Sequence, residues 1–295
     1  MIVDYITKIK GNISIYATKK TSNILDGAYT SIFMGRSMNF EDLREYIPGD
    51  NIRDIDWKAS SRSRSLLVKR FVAEKKHNIM FILDSGKKMS GHTPKLQDKD
   101  EVALNAMGTI AYLAQKNGDN VGAIYTKGEL IKLYPFRTGL YNIEQILECY
   151  HQDVCSSKTD SESSLSKSIN YVISHIKKRM IIFIITDETG LSSIDEAQIK
   201  RLKFQHDVLI INIGDIEFTG NGDSYSVSSD SYMPEFFTSN KKLRKMEMEI
   251  RKNLKSSNER KLVKYGVSNV IMDSDEDVVE KVIELLEKHR YANSH

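Results

Sequence analysis

Two stretches constrain this chain more than any others. NIMFIL at 78–83 and MIIFIIT at 180–186 are continuous apolar runs of strand length, and each ends in an acid, Asp84 and Asp187. A strand that is apolar on both faces needs cover on both, which is the environment of a parallel sheet inside an α/β protein. Further strand signals follow at 120–125 (NVGAIY), 207–213 (DVLIINI) and 267–272. Between them lie helical spacings. Val102, Leu104, Ala106, Ile110, Leu113 and Ala114 mark 100–116, and a second helix is expected over 141–150. Leu165, Ile169, Val172 and Ile176 mark a third, 195–204 a fourth, and 275–289 a terminal one. A Lys127-Gly128 turn sends 130–134 back as an antiparallel edge strand. The pattern predicts an α/β fold: a doubly wound, mainly parallel six-stranded sheet with helices on both faces. Sites in such sheets form beyond the carboxyl ends of the strands, where strand order reverses. Asp84 and Asp187 are therefore expected together at one rim.

The rest of the chain is less regular. Residues 1–34 read as an N-terminal arm, and FEDLREYI at 40–47 as a short helix stopped by Pro48-Gly49-Asp50. A strand is expected over 66–72, a long loop over 219–232, and a charged helical region over 238–264 with a break near 256–257. This divides the chain into an N-terminal extension, 1–76, and a sheet domain, 77–295.

Composition limits the function. Of 295 residues, 40% are hydrophobic, enough for a sizeable core, and the net charge of +3 argues against an obligatory polyanionic partner. Within 241–264, ten Lys or Arg stand against three Glu. This reads as a solvated helix face, with an acidic protein surface, nucleic acid or anionic lipid as alternatives, but no aromatics interleave as in a single-strand binder. Asp4, Lys8 and Lys10 interrupt any signal-peptide core, and no run approaches the ~20 apolar residues of a membrane span. The expected compartment is the cytoplasm. The two cysteines, Cys149 and Cys155, flank His151, but no second ligand pair lies nearby in sequence at zinc spacing, so they read as ordinary thiols.

FILDSGKKMS (81–90) admits three readings. A phosphatase of the haloacid dehalogenase type needs Asp-x-Asp, and here the second acid is Gly86. A phosphate-binding loop would use the Gly86-to-Gly91 spacing, with IIFIITDE (181–188) as the acidic strand that holds magnesium, but its decisive lysine is replaced by His92. A magnesium-dependent or nucleotide-hydrolysing enzyme is thus the alternative, not the leading reading. The third is the metal-ion-dependent adhesion site of von Willebrand factor A domains: Asp-x-Ser-x-Ser, a distant Thr and a second Asp around a hard cation. Asp84, Thr159 and Asp187 match, but the serines are Gly86 and Lys88. Glycine has no side-chain oxygen and an ammonium only donates. The site is therefore expected to be degenerate, with Lys88 neutralising Asp84 and Asp187 in place of metal, or else to bind magnesium weakly. No catalytic residue and no cofactor is expected.

Upstream, GRSMNFEDLREYIPGDNIRDIDWKASSRSRSLLVKRF (35–71) closely resembles the bacterial domain-of-unknown-function-58 family. The matching positions are Gly35, Phe40-Glu41, Leu43 to Asp50, Arg53 to Lys58, Ser61-Arg62 and Val68-Lys69. The resemblance implies a von Willebrand factor A-like fold and a non-enzymatic adaptor beside a MoxR-type AAA+ ATPase, acting on an unidentified client protein. Many members carry N-terminal membrane helices, and none is expected from this sequence. Arg44 and Arg53 lie among Asp50 and Asp56, an alternation that suggests internal ion pairs. Trp57, the only tryptophan, and Lys58 beside it are candidates for either a structural staple or a partner contact.

Overall fold

The computed structural model describes residues 5–17, 25, 27–29, 38–63, 65–73, 76–156, 165–217, 225–226, 231–232 and 240–292. Helix α1 (Tyr5–Ala17) precedes a small lobe made of strand β1 (Met38–Glu45), a 3-10 turn (Ile52–Asp54), helix α2 (Trp57–Ser63) and strand β2 (Leu67–Ala73). The stretch expected as a helix over 40–47 is thus a strand. It pairs antiparallel with β2, Leu43 opposite Lys69 and Arg44 opposite Val68. A register shift between Phe40 and Asp42 breaks the period-2 alternation, so the strand has no readable pattern of its own.

The regular part begins with β3 (Asn78–Leu83) and continues through α3 (Lys99–Lys116), β4 (Asn120–Lys127), β5 (Leu130–Arg137), α4 (Leu140–Ser156), α5 (Leu165–His175), β6 (Ile181–Asp187), α6 (Glu188–Ser192), α7 (Glu196–Gln205) and β7 (Asp207–Ile213). Two-residue strands β8 (Tyr225–Ser226) and β9 (Ser231–Tyr232) pair within the segment expected as a loop, most of which lies outside the described residues. Helix α8 (Lys241–Lys264), strand β10 (Ser268–Met272) and helix α9 (Val278–Ala292) complete the chain. The predicted break near 256–257 is not there: α8 is continuous, because two serines lower helix propensity only slightly and Asn258 and Leu262 just beyond them are buried anchors.

The six strands run β10-β7-β6-β3-β4-β5, all parallel except the β4–β5 hairpin. From β3 the chain winds outward through β4 and β5, then crosses back to β6 on the other side. The reversal point therefore lies between β3 and β6. Alternation along each strand divides the core in two. Ile79, Phe81 and Leu83 face a layer built from α1, α3, α4 and α9; Met80 and Ile82 face α5, Leu191, α7 and Leu262. The N-terminal segment joins the first of these layers. Ile9 and Tyr29 are buried there, and the Tyr29 hydroxyl donates to Asp119 at 2.7 Å. Gly108 on α3 makes room, since a Cβ there would lie 2.1 Å from Ile9 Cδ1. Among the described residues, no helix is long and apolar enough to cross a membrane.

Candidate functional site

The reversal point brings the two acids together. The Asp84 amide donates to Ile185 O across β3 and β6 at 2.9 Å, so the strand ends are in register. Asp84 Oδ2 accepts from Thr186 Oγ1 at 2.6 Å, and its Oδ1 from the Gly86 amide at 3.0 Å. Asp187 is the N-cap of α6 and accepts from the Gly190 amide at 2.8 Å. Both carboxylates converge on Gly190: a Cβ there would sit 2.3 Å from Asp84 Oδ2 and 3.4 Å from Asp187 Oδ1. The Tyr150 hydroxyl closes the floor with a 2.5 Å bond to Asp84 O. Burial, reinforced by Asp84, Asp100 and Asp187, holds that hydroxyl well above the usual tyrosine range, so it stays a donor.

The cation at this rim is not Lys88. Lys88 lies in a 3-10 turn (Lys87–Ser90) whose buried anchor is Met89, and with three residues per turn its neighbour is directed outward, where Lys88 is exposed. The ammonium belongs to Lys99, at the start of α3. Its Nζ lies 3.1 Å from Asp187 Oδ2 and 2.6 Å from Asp215 Oδ1, with the lysine side chain only 1% exposed. Asp215 follows β7, the next strand along the rim. Sequence reading missed both residues, although one signal existed. A lysine immediately after the N-cap Asp98 is unfavourable beside the positive end of the helix dipole, so something outside the helix must hold it.

Gly86 contributes no side-chain oxygen, Lys88 is exposed, and the Asp187 carboxylate is engaged by the Gly190 amide and the Lys99 ammonium. Thr159 lies outside the described residues.

Helix α8 docks against the same rim through polar contacts. Asn258 Nδ2 donates to Glu188 Oε1 at 2.6 Å, and Asn212 reaches the other oxygen of that carboxylate at 2.5 Å. Lys261 donates to Leu191 O and Ile194 O at 3.1 and 2.8 Å, and burial lowers its pKa. Arg251 binds Asp215 O and Ile216 O at 3.1 and 2.5 Å. Part of the basic charge of 241–264 therefore attaches this helix to the fold.

In the lobe, two ion pairs close within the segment and several large apolar side chains are exposed. Arg44 grips Asp50 with both nitrogens, at 2.8 and 2.6 Å. This bond, then the Ile47 amide, lowers the pKa of Asp50. Asp56 caps α2 by accepting from the Ala59 amide at 2.9 Å and meets Lys69 at 3.6 Å. Ile55 and Val68 are buried against each other across a bridge. Trp57 is 62% exposed and Ile52 65%, with Ile47 and Leu66 also exposed. Arg53 and Lys58 are exposed beside them.

The fold is a doubly wound six-stranded α/β sheet with one antiparallel edge strand and two acids at its reversal point. Residues 42–222 match the family described as Protein of unknown function DUF58, and the chain belongs to that family. It is 21% identical over 235 residues to Uncharacterized protein Rv1480 of Mycobacterium tuberculosis, covering 79% of this chain and 73% of that protein. It is 25% identical over 105 residues to Uncharacterized protein YeaD of Bacillus subtilis, covering 36% and 24%. Similar solved structures include an aerotolerance-related membrane protein from Bacteroides fragilis with multiple mutations to serines (TM-score 0.42, 16% identity, 72% of this chain and 99% of that one). Another is a von Willebrand factor type A from Catenulispora acidiphila (TM-score 0.38, 11% identity, 75% and 44%).

Proposed function

We propose that this chain is a non-enzymatic, cytoplasmic protein-interaction module that works beside a MoxR-type AAA+ ATPase and a client protein, with the Lys99 ammonium standing where relatives of the fold use a metal. The observation that carries this reading is the composition of the lobe surface. The lobe's Arg44–Asp50 and Asp56–Lys69 pairs are internal, while Trp57, Ile52 and Ile47 remain exposed. Exposed tryptophan and arginine are residue types enriched in interface hot spots. The resemblance of the motif to its family supplies the ATPase as partner. A degenerate adhesion site agrees with recognition that does not depend on a carboxylate–metal bridge.

The test is co-elution of the purified chain with the MoxR-type ATPase of its own host, with and without ATP. Binding is expected, and Trp57→Ala should abolish it without changing the melting temperature. An ATPase that never co-elutes, or Trp57→Ala binding as the parent does, would overturn the reading. So would ATP turnover by the chain alone that is lost in Asp187→Ala.

A further inference from the structure

Away from the rim, three side chains of different chemistry meet between α3 and α4. Asp100 Oδ2 lies 2.8 Å from His151 Nδ1 and 3.8 Å from Cys155 Sγ. Cys155 Sγ lies 3.8 Å from the same His151 nitrogen. His151 and Cys155 are four positions apart on α4 and so share one face of it, one turn apart. Asp100 arrives from the first turn of α3. It follows Lys99 directly, but the helical rotation between successive residues turns it toward α4 while Lys99 turns toward the rim.

The spacing suits a metal. A tetrahedral zinc ion, with bonds of about 2.0 to 2.3 Å, separates its ligand atoms by roughly 3.3 to 3.7 Å. Both distances to sulfur are already close to that. Only the Asp100–His151 hydrogen bond must lengthen, by about 0.5 Å, to admit an ion where a proton now sits. We infer that Asp100, His151 and Cys155 form a three-ligand site for a zinc-class divalent transition-metal ion, with its fourth position open to water. One thiolate, one imidazole and one carboxylate favour such an ion over magnesium. The Asp100 side chain is 6% exposed and His151 33%, while Cys155 is on the surface, so the buried carboxylate is the floor and the thiol the mouth.

The surroundings favour a cation. Asp98 and Glu101 flank the cluster on α3. Tyr5, from α1, packs edge-on against the His151 ring at 6.0 Å and fixes its plane.

The experiment titrates the full chain, reduced and freed of metal, with zinc by calorimetry and with cobalt(II) by absorbance. One equivalent should bind. The cobalt spectrum should show a thiolate-to-metal charge-transfer band that survives Cys149→Ser and vanishes in Cys155→Ser. His151→Ala should weaken zinc binding by more than about tenfold. Zinc should also slow alkylation of Cys155 in the unaltered protein, located by peptide mapping, without slowing Cys149, a readout that does not depend on any variant folding. A cobalt complex without the charge-transfer band, alkylation of Cys155 indifferent to zinc, or equal binding by parent and Cys155→Ser would overturn the assignment.

Discussion

Lys99 and Asp187 are 88 positions apart in the chain, and their ammonium and carboxylate meet 3.1 Å apart with side-chain exposures of 1% and 2%. A second carboxylate, Asp215, closes on the same nitrogen at 2.6 Å. This buried triad ties the start of α3 to the ends of β6 and β7.

Removing the ammonium leaves two acids at one rim, Asp187 buried and Asp215 partly so. Lys99→Ala should therefore destabilise the protein by about 3–5 kcal/mol, as other broken buried pairs do. Lys88→Ala should shift stability by less than about 0.5 kcal/mol, because that side chain is at the surface. Urea midpoints of the two variants, measured side by side at neutral pH, check the contrast. Equal losses would return the charge-balancing role to Lys88.

Gly190 is required by the convergence of the two acids. A methyl there would lie 2.1 Å from Thr186 Oγ1 and 2.3 Å from Asp84 Oδ2, both buried. Gly190→Ala is expected to cost about 1–3 kcal/mol, despite the general preference of helices for alanine. Thermal melts of parent and variant decide it, and a stabilised variant would show that the carboxylates are farther apart.

His206 carries a pH dependence. It is fully buried, and neither ring nitrogen has a hydrogen-bond partner among the described residues. Burial, helped by Arg179 and Lys177 and opposed by Asp207, lowers its pKa from the ordinary 6.5. Above that value both folded and unfolded chains hold a neutral ring. Below it the unfolded chain takes up a proton that the folded one refuses, so stability falls as pH drops from 6.5 toward the lowered value. His206→Leu should flatten the stability profile over this range. An unchanged slope in urea titrations at several pH values would count against it.

The Arg44–Asp50 pair has the opposite chemistry but a similar sign. The folded pKa of Asp50 lies below its ordinary 3.8, so its contribution is complete above that value and is lost as pH falls through the lowered one. Arg44→Lys keeps the charge but loses the two-pronged grip. It should reduce amide-exchange protection at Ile47, whose N–H bonds Asp50 Oδ2 at 2.9 Å, at neutral pH. Protection equal to the parent would mean that the backbone turn alone holds this loop.

Much of the scaffold was legible without any structure. Runs such as 78–83 and 180–186 are apolar at every position, so they had to lie between two helical layers, and the acids that end them had to emerge at a rim. The lobe was less legible. A register shift in β1 removed the alternation that marks a strand, and FEDLREYI was misread as a helix. At the site the error was of another kind. Lys88 was chosen because it stands next to Asp84 in the adhesion-site pattern. Lys99 was overlooked because nothing within its own helix explains it.

By itself the sequence determined the alternation of buried strands with amphipathic helices, because hydrophobic periodicity is a local quantity; the meeting of Asp84 with Asp187 followed from it only on the assumption of a doubly wound strand order. Only the tertiary structure decided which ammonium balances the rim, and which third residue joins His151 and Cys155. Side-chain direction at a helix start or within a 3-10 turn depends on rotation about that element's axis, and the partners that reward one rotation over another come from strands and helices 51 to 116 positions away. Lys99 found Asp187 and Asp215, and Asp100 found His151, only when α3 was laid against β6, β7 and α4.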